Sequence, residues 1–364
     1  MTIRETSWKT YTANPKAWKA MLQACENAEE SIDLEQFIFM ADEIGNKFIE
    51  VCTRKAREGV KVRFLWDAAG SFTFFGSSMV EDLKNKGIEL VFFKTLFPGF
   101  FTIHDYRSWY FRNHRRTLVI DGKTGFTGSI CISKEMKEWR DTHVKIEGPV
   151  VEDMKKAFER MLDRAHGKRV PRRIPEKRSG GVDHEFEYIT NTPMGRNRRL
   201  YNRIVEALRN ADKYIYITTP YFVPTHRIAR ILRQAAHHGV DVKIIIPEKS
   251  DYPIVDLGAR TFFHSLLWSG VKIYLYKGKM MHSKTVVVDD KWASVGTLNI
   301  DHISLLYNFE ANLVTKNRHF AEELSSHFAH DLQSSQEITY EEWKNISFVK
   351  KIVLFFVKFI RGFL

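Results

Sequence analysis

The same order of elements is written twice along the chain, and this duplication constrains the fold more than any other feature. In the first half a helical pattern over "NPKAWKAMLQACENAEE" leads into "SIDLEQFIFM", a second helical pattern closes at Gly59 before "VKVRFLWD", and "KNKGIELVFF" follows. In the second half "NRRLYNRIVEALRNADK" leads into "YIYITTPYFV", a helical pattern closes at Gly239 before "VDVKIIIPEKS", and "LWSGVKIYLY" follows. Helices alternating with strongly apolar strands predict an α/β chain of two similar halves, each with a mixed β-sheet flanked by helices. The expected boundaries are a first half over residues 1–165, a linker over 166–181, a second half over 182–335 and a C-terminal segment over 336–364. The linker, "HGKRVPRRIPEKRSGG", is rich in Pro, Gly and basic residues and reads as surface chain.

In each half a matching strand follows this order. "NHRRTLVIDG" sets His114, Arg116 and Asp121 around the run from Thr117 to Ile120, and "MHSKTVVVDD" sets His282, Lys284 and Asp289 around the run from Thr285 to Val288. A Gly followed by a hydroxyl residue stands beyond each Asp, as Gly128-Ser129 and Gly296-Thr297. Side chains alternate along a strand, so each His shares a face with its cation. A pseudo-twofold body with the two His faces meeting between the halves is therefore expected, and neither half should act alone.

Two imidazoles and two cations are what cleavage of a phosphodiester requires. One neutral His can attack phosphorus to form a phosphohistidine, while the other protonates the leaving alkoxide and then serves as base toward the incoming alcohol or water. Arg116 and Lys284 would hold the non-bridging oxygens, one as a planar fork and the other as a point charge. This chemistry needs no metal and no cofactor. A nucleophilic His also needs an acceptor on its other ring nitrogen. Asp141 in "EWRDTH" follows His114 by 27 residues and Glu310 in "NFEANL" follows His282 by 28, which makes them the candidates. Asp121 and Asp289 lie beyond the strand, where closing a turn fits them better than touching phosphate.

Composition narrows the partner without choosing it. A net charge of +12 implies a negatively charged partner, satisfied equally by anionic lipid and by nucleic acid. Cys25, Cys52 and Cys131 are odd in number and lack metal-ligand spacing, so neither a disulfide framework nor a zinc site is expected, and a reducing compartment is. "MTIRETSWKTYTANPKAWKAML" contains no apolar run resembling a leader or a membrane span.

The two H-x-[KR]-x4-D copies with their trailing Gly-[Ser/Thr] resemble the paired HKD motifs of the phospholipase D superfamily, and within it the bacterial cardiolipin synthases of the phospholipase D type. "WDAAGSFTFFGS", "WRDTHVKIEGPVV", "YIYITTPYFVP", "GVKIYLY" and "NFEANLV" carry the resemblance over most of the chain. It implies a phospholipase D-like fold with the active site between the halves, in which His114 and His282 are the catalytic pair and His114 the nucleophile. By the same likeness Arg116 and Lys284 bind phosphate, Asp141 and Glu310 orient the histidines, Asp121 and Asp289 complete the catalytic motifs, and Ser129, Thr297 and Asn299 line the substrate site. The implied reaction moves a phosphatidyl group to phosphatidylglycerol, forming cardiolipin and releasing glycerol. Hydrolysis to phosphatidic acid uses the same residues, whereas action on nucleic acid within the same superfamily, which the +12 charge would serve, is opposed by the amphipathic tail and the family-specific stretches. Two departures stand out: Arg116 replaces the usual Lys, and Cys131 stands where Asn usually follows the Gly-Ser.

The C-terminus offers a route to lipid. Wound as a helix, "NISFVKKIVLFFVKFIRGFL" gathers Ser347, Lys350, Lys351, Lys358 and Arg361 within one arc of about 100° and leaves Ile352, Val353, Phe355, Phe356, Val357, Phe359 and Ile360 for the rest. Its unbroken apolar run is too short to span a bilayer. It fits a helix on the anionic cytoplasmic face of a bacterial membrane, or one packed on the protein's own core. The aromatic stretches "KTLFPGFF" (94–101) and "SFTFFGSS" (71–78) admit the same two readings, interface or core.

Overall fold

The computed structural model describes residues 6–93, 111–168, 170, 185–193 and 198–363. The aromatic turn over 94–101 and the linker beyond residue 170 lie outside the described residues, apart from these bounds. The first half runs β1 (Ser7–Ala13), α1 (Asn14–Glu26), β2 (Ser31–Gln36), α2 (Glu43–Arg57), β3 (Lys61–Asp67), α3 (Ser78–Asn85), β4 (Ile88–Phe93), β5 (Thr117–Ile120), β6 (Thr124–Gly128), β7 (Arg140–Glu147) and α4 (Val150–Ala165). The second runs β8 (Phe186–Asn191), α5 (Arg199–Arg209), β9 (Tyr214–Thr218), β10 (Phe222–Val223), α6 (His226–His237), β11 (Asp241–Pro247), α7 (Pro253–Trp268), β12 (Lys272–Tyr276), β13 (Thr285–Val288), β14 (Trp292–Gly296), β15 (Ile300–Asp301), α8 (His302–Leu306), β16 (Glu310–Thr315), α9 (Arg318–Gln333) and β17 (Ser335–Ile338). Two further helices, α10 (Tyr340–Lys344) and α11 (Phe348–Ile360), close the chain.

The first sheet has the order β1-β7-β6-β5-β2-β3-β4 and the second β17-β12-β11-β9-β13-β14-β16-β8. Without its edge strand β17, the second order is the first repeated, β8 standing for β1, β9 for β2, β13 for β5 and β16 for β7. In each sheet three parallel strands joined through helices, β2, β3, β4 or β9, β11, β12, meet an antiparallel set that carries the motif strand. The expected duplicated α/β fold is therefore the observed one. Sequence periodicity missed the strands that open each half, β1 and β8, because short alternating runs such as "SWKTYTA" carry little apolar signal. They pair antiparallel with β7 and β16 and so flank the strands that carry the two acids.

The halves share one apolar layer. Val119, Val144 and Ile146 from the first sheet pack with Val287, Val295 and Leu313 from the second, closed by Phe186 and Phe320. β5, β13, β14 and β16 are buried along their whole length, which is why their sequences read as continuous apolar or small runs rather than alternating ones. Hydrogen bonds cross the same boundary: Thr117 and Tyr188 hydroxyls lie 2.6 Å apart, Thr142 and Ser283 hydroxyls 2.7 Å, and the Trp8 indole donates to Glu323 at 2.8 Å. Because the buried layer belongs to both halves, Leu313→Ala should lower stability by roughly 2–5 kcal/mol. Urea unfolding followed by circular dichroism should show one transition for both halves, and two separated transitions would contradict the shared layer.

Candidate active site

The aspartates of the two motifs hold the fold. Asp121 takes the left-handed conformation (φ 54°) just after β5, and its carboxylate accepts the backbone N–H groups of Glu29, Glu30 and Ser31. Asp289 (φ 55°) does the same after β13 for Asp212, Lys213 and Tyr214, at 2.7–2.8 Å. Each closes the turn and ties the neighbouring strand, β2 or β9, to the motif strand. They stand at the end of the strand opposite the histidines, so the catalytic place that the motif resemblance gave them is corrected to a structural one.

The histidines are set by reciprocal exchange between the halves. His114 N–H donates to the carbonyl of Phe309 at 3.0 Å, and the next residue, Glu310, lies 2.9 Å from His114 Nδ1. His282 N–H donates to the carbonyl of Arg140 at 2.8 Å, and the next residue, Asp141, lies 2.8 Å from His282 Nδ1. The sequence spacing sets each acid downstream of its own motif, yet each acid holds the other half's histidine. Asp67, at the end of β3, fixes the entry to the first motif by accepting the Arg112 guanidinium and the Asn113 N–H. An aromatic edge flanks each imidazole, Phe37 for His114 and Trp139 for His282, at ring distances of 4.9 and 5.0 Å. The sequence reading passed over both rings, although Trp139 lies within the quoted "EWRDTH".

The Gly-[Ser/Thr] pairs serve the acids. A Cβ on Gly128 would sit 2.3 Å from the Thr142 carbonyl, and one on Gly296 would sit 2.4 Å from that of Ala311, so only glycine lets β6 and β14 approach the acid-bearing strands this closely. Ser129 then exchanges hydrogen bonds with the Thr142 backbone, and the Thr297 hydroxyl donates to Glu310 at 2.5 Å. Both hydroxyls are thus engaged with the acid-bearing strands rather than turned free toward a substrate. Asn299 donates to Ser304 at 3.2 Å and keeps a buried carbonyl oxygen without a partner among the described residues.

The two cations are buried beside the histidines. Lys284 donates to the His282 carbonyl at 2.8 Å, and Arg116 to the His114 carbonyl at 3.3 Å, a matched arrangement from the two halves. Arg116 does more: its Nε donates to the Cys131 sulfur at 2.9 Å and its Nη2 to His114 Nε2 at 3.1 Å. The two departures from the usual motif are therefore in contact, and the longer Arg rests on the smaller Cys. Since Arg116 donates to Nε2, that nitrogen presents a lone pair and the His114 proton sits on Nδ1, facing Glu310.

Burial and like charge shape the protonation states. Desolvation, then Arg116 and Lys284, push His114 well below the usual histidine value, so it is neutral. Desolvation and the Lys284 charge bring His282 to about 4, against the opposing pull of Asp141. Burial and the neighbouring Arg116 lower Lys284 to about 7. The acids differ. Burial raises Glu310 to about 8, whereas for Asp141 the opposing charge and hydrogen bond of His282 outweigh burial and hold it low. Two desolvated cations facing one another are relieved by an anion placed between them, which is the charge of a phosphodiester. Among the described residues no cluster of three metal-ligating side chains occurs.

Residues 21–162 and 204–332 match the family model described as cardiolipin synthase, phospholipase D-like domain. The chain is 35% identical over 335 residues to the Bacillus subtilis protein YwiE, described as a probable cardiolipin synthase, covering 89% of this chain and 65% of that one. It is 32% identical over 371 residues to cardiolipin synthase 1 of Bacillus anthracis, covering 98% of this chain and 72% of the relative. Among solved structures, phosphatidylserine synthase of Haemophilus influenzae superposes with a TM-score of 0.75 at 15% identity, over 98% of this chain and 95% of that one, a likeness of fold. The chain belongs to the cardiolipin synthase family of phospholipase D-like phosphatidyltransferases.

The unequal acids predict unequal mutants. Near neutral pH Glu310 keeps its proton and Glu310→Gln imitates that state, so turnover of a chromogenic phosphodiester should stay within about tenfold of wild type. Asp141→Asn removes the ionised acceptor from His282 and should cost about 10⁴-fold, as loss of a tautomer-fixing carboxylate does. Equal losses in the two variants would contradict the assigned protonation states.

Proposed function

We propose that the protein transfers a phosphatidyl group between two phosphatidylglycerol molecules at a membrane surface, forming cardiolipin and glycerol. The observation that carries this reading is the buried pair of histidines, each held at Nδ1 by an acid side chain of the opposite half, with Arg116 and Lys284 beside them. His114 Nε2 attacks the phosphorus of the donor lipid while the P–O bond to its head-group glycerol breaks, and His282 supplies the proton that the departing glycerol takes. Arg116 and Lys284 receive the non-bridging oxygens. His282 then takes the proton from the acceptor's glycerol hydroxyl, whose oxygen attacks phosphorus as the N–P bond breaks and His114 recovers its lone pair. Assignment of His114 as nucleophile rests on the Arg116 hydrogen bond to Nε2 and the proton it leaves on Nδ1. The ionised Asp141 favours a protonated His282 as the proton donor once the lipid phosphate has entered.

Contact with the membrane rests on α11. Its apolar face turns to solvent, with Phe355 59%, Phe356 65% and Phe359 69% exposed, while Val357 is buried against the body. Among the described residues no helix is long and apolar enough to cross a membrane. In the "SFTFFGSS" stretch the two readings divide: Phe74 is core, packed 4.9 Å from the Trp66 ring, and Phe72 is exposed.

Incubation with phosphatidylglycerol vesicles and separation of the lipids tests the reaction. Cardiolipin and glycerol are expected; phosphatidic acid would assign a hydrolase. His114→Ala and His282→Ala should each abolish turnover, and quenched wild-type enzyme should carry acid-labile phosphate that is absent from His114→Ala. The Lys284 ammonium that holds phosphate is present below about 7 and lost above it, so on the alkaline side kcat/KM should fall more steeply above that value than below it. Lys284→Arg should move this limb upward, and an unmoved limb would assign it to another group.

A further inference from the structure

We infer that the second half carries a binding crevice for the head group of an anionic phospholipid, separate from the reacting phosphate and roofed by α11. The inference rests on the reading of the protein as one that works at an anionic membrane surface. Between α6, α7 and α11 lies a crevice of about 360 Å³ lined by His226, Arg233, His264, Lys358 and Arg361. It adjoins a second hollow of about 400 Å³ that adds Lys351 and Phe355, and no acidic side chain lines either one. Among the described residues Arg233 and Lys358 form no ion pair, and the buried Arg233 Nε has no hydrogen-bond partner. Arg361 is placed by its Thr261 contact at 3.1 Å and by stacking 4.3 Å over the Phe262 ring, and burial lowers its pKa.

Cations gathered without carboxylates repel one another and lose hydration, so the crevice is built for an anion. Its surroundings say which anion. Phe355 lines the mouth, and the exposed rings of Phe355, Phe356 and Phe359 continue outward from it, giving apolar surface for acyl chains directly beside cations for a phosphate. A helix buried to the head-group boundary by that face would bring its basic flank to the depth of the lipid phosphates. A second copy of the chain fits less well, because a twofold contact through this patch would set the same unpaired cations against themselves. Burial lowers the pKa of His302, the first residue of α8, and the Arg361 charge also reaches it and lowers it further.

Cosedimentation of the full chain with vesicles of phosphatidylcholine, with and without phosphatidylglycerol, tests the site. Arg233→Gln and Lys358→Gln should each weaken binding to phosphatidylglycerol vesicles about fivefold or more, with unchanged thermal melting and unchanged turnover of a soluble diester. Lys350→Gln removes the same charge from the same helix outside the crevice and should change little. Equal losses for Lys350→Gln would show diffuse attraction and overturn the site while leaving membrane binding intact. Displacement by inorganic phosphate at matched ionic strength would assign the crevice to free phosphate, and concentration-dependent dimers that Phe355→Ser/Phe356→Ser abolishes would assign the face to a second copy; either overturns the lipid site. A wild-type chain that binds neither vesicle would overturn the membrane reading itself.

Discussion

Each half of this protein completes the other's histidine, and most of the architecture follows from that exchange. A backbone hydrogen bond from His114 to Phe309 places Glu310 under the imidazole, and one from His282 to Arg140 places Asp141. For these bonds to form, β7 and β16 must run along the boundary between the sheets, with β6 and β14 pressed close enough that only glycine fits at 128 and 296. The apolar layer of Val119, Val287, Val295 and Leu313 supplies the rigidity that holds two short acid–imidazole contacts in register.

The exchange does not make the two ends of the site alike. The first half brings a planar guanidinium that rests on Cys131; the second brings an ammonium whose pKa is lowered to about 7. The acids are unequal in the same sense, one ionised and one kept protonated by burial. A duplicated scaffold thus holds one electrostatically polarised site, which suits the proposed reaction, in which the two histidines take different first steps.

Much of the fold was legible because helical and strand periodicities recur in the same order, and the histidines and cations because their spacing recurs too. What failed to show was whatever depends on contact across the boundary. The near-equal intervals from His114 to Asp141 and from His282 to Glu310 look the same whether the acids serve their own half or the other. Nothing in the sequence says that Arg116 reaches Cys131, or that Ser129 and Thr297 serve the acid-bearing strands. The tail shows a different limit. A helical wheel separates a basic arc from an apolar one, but the body packs on the flank that includes Leu354, Val357 and Arg361 and leaves the broad aromatic face outside, a choice made by α7 rather than by α11.

The motif aspartates bear on how such sequences are read. Asp121 and Asp289 are occupied with backbone N–H groups of the neighbouring strand and contribute to shape alone. On the proposed reaction, a relative that retained both and lost either imidazole would keep this outline and lack the nucleophile or the proton donor. Pattern searches weighted toward the acidic end of the motif therefore count folded scaffolds, and the imidazole end carries the proposed chemistry.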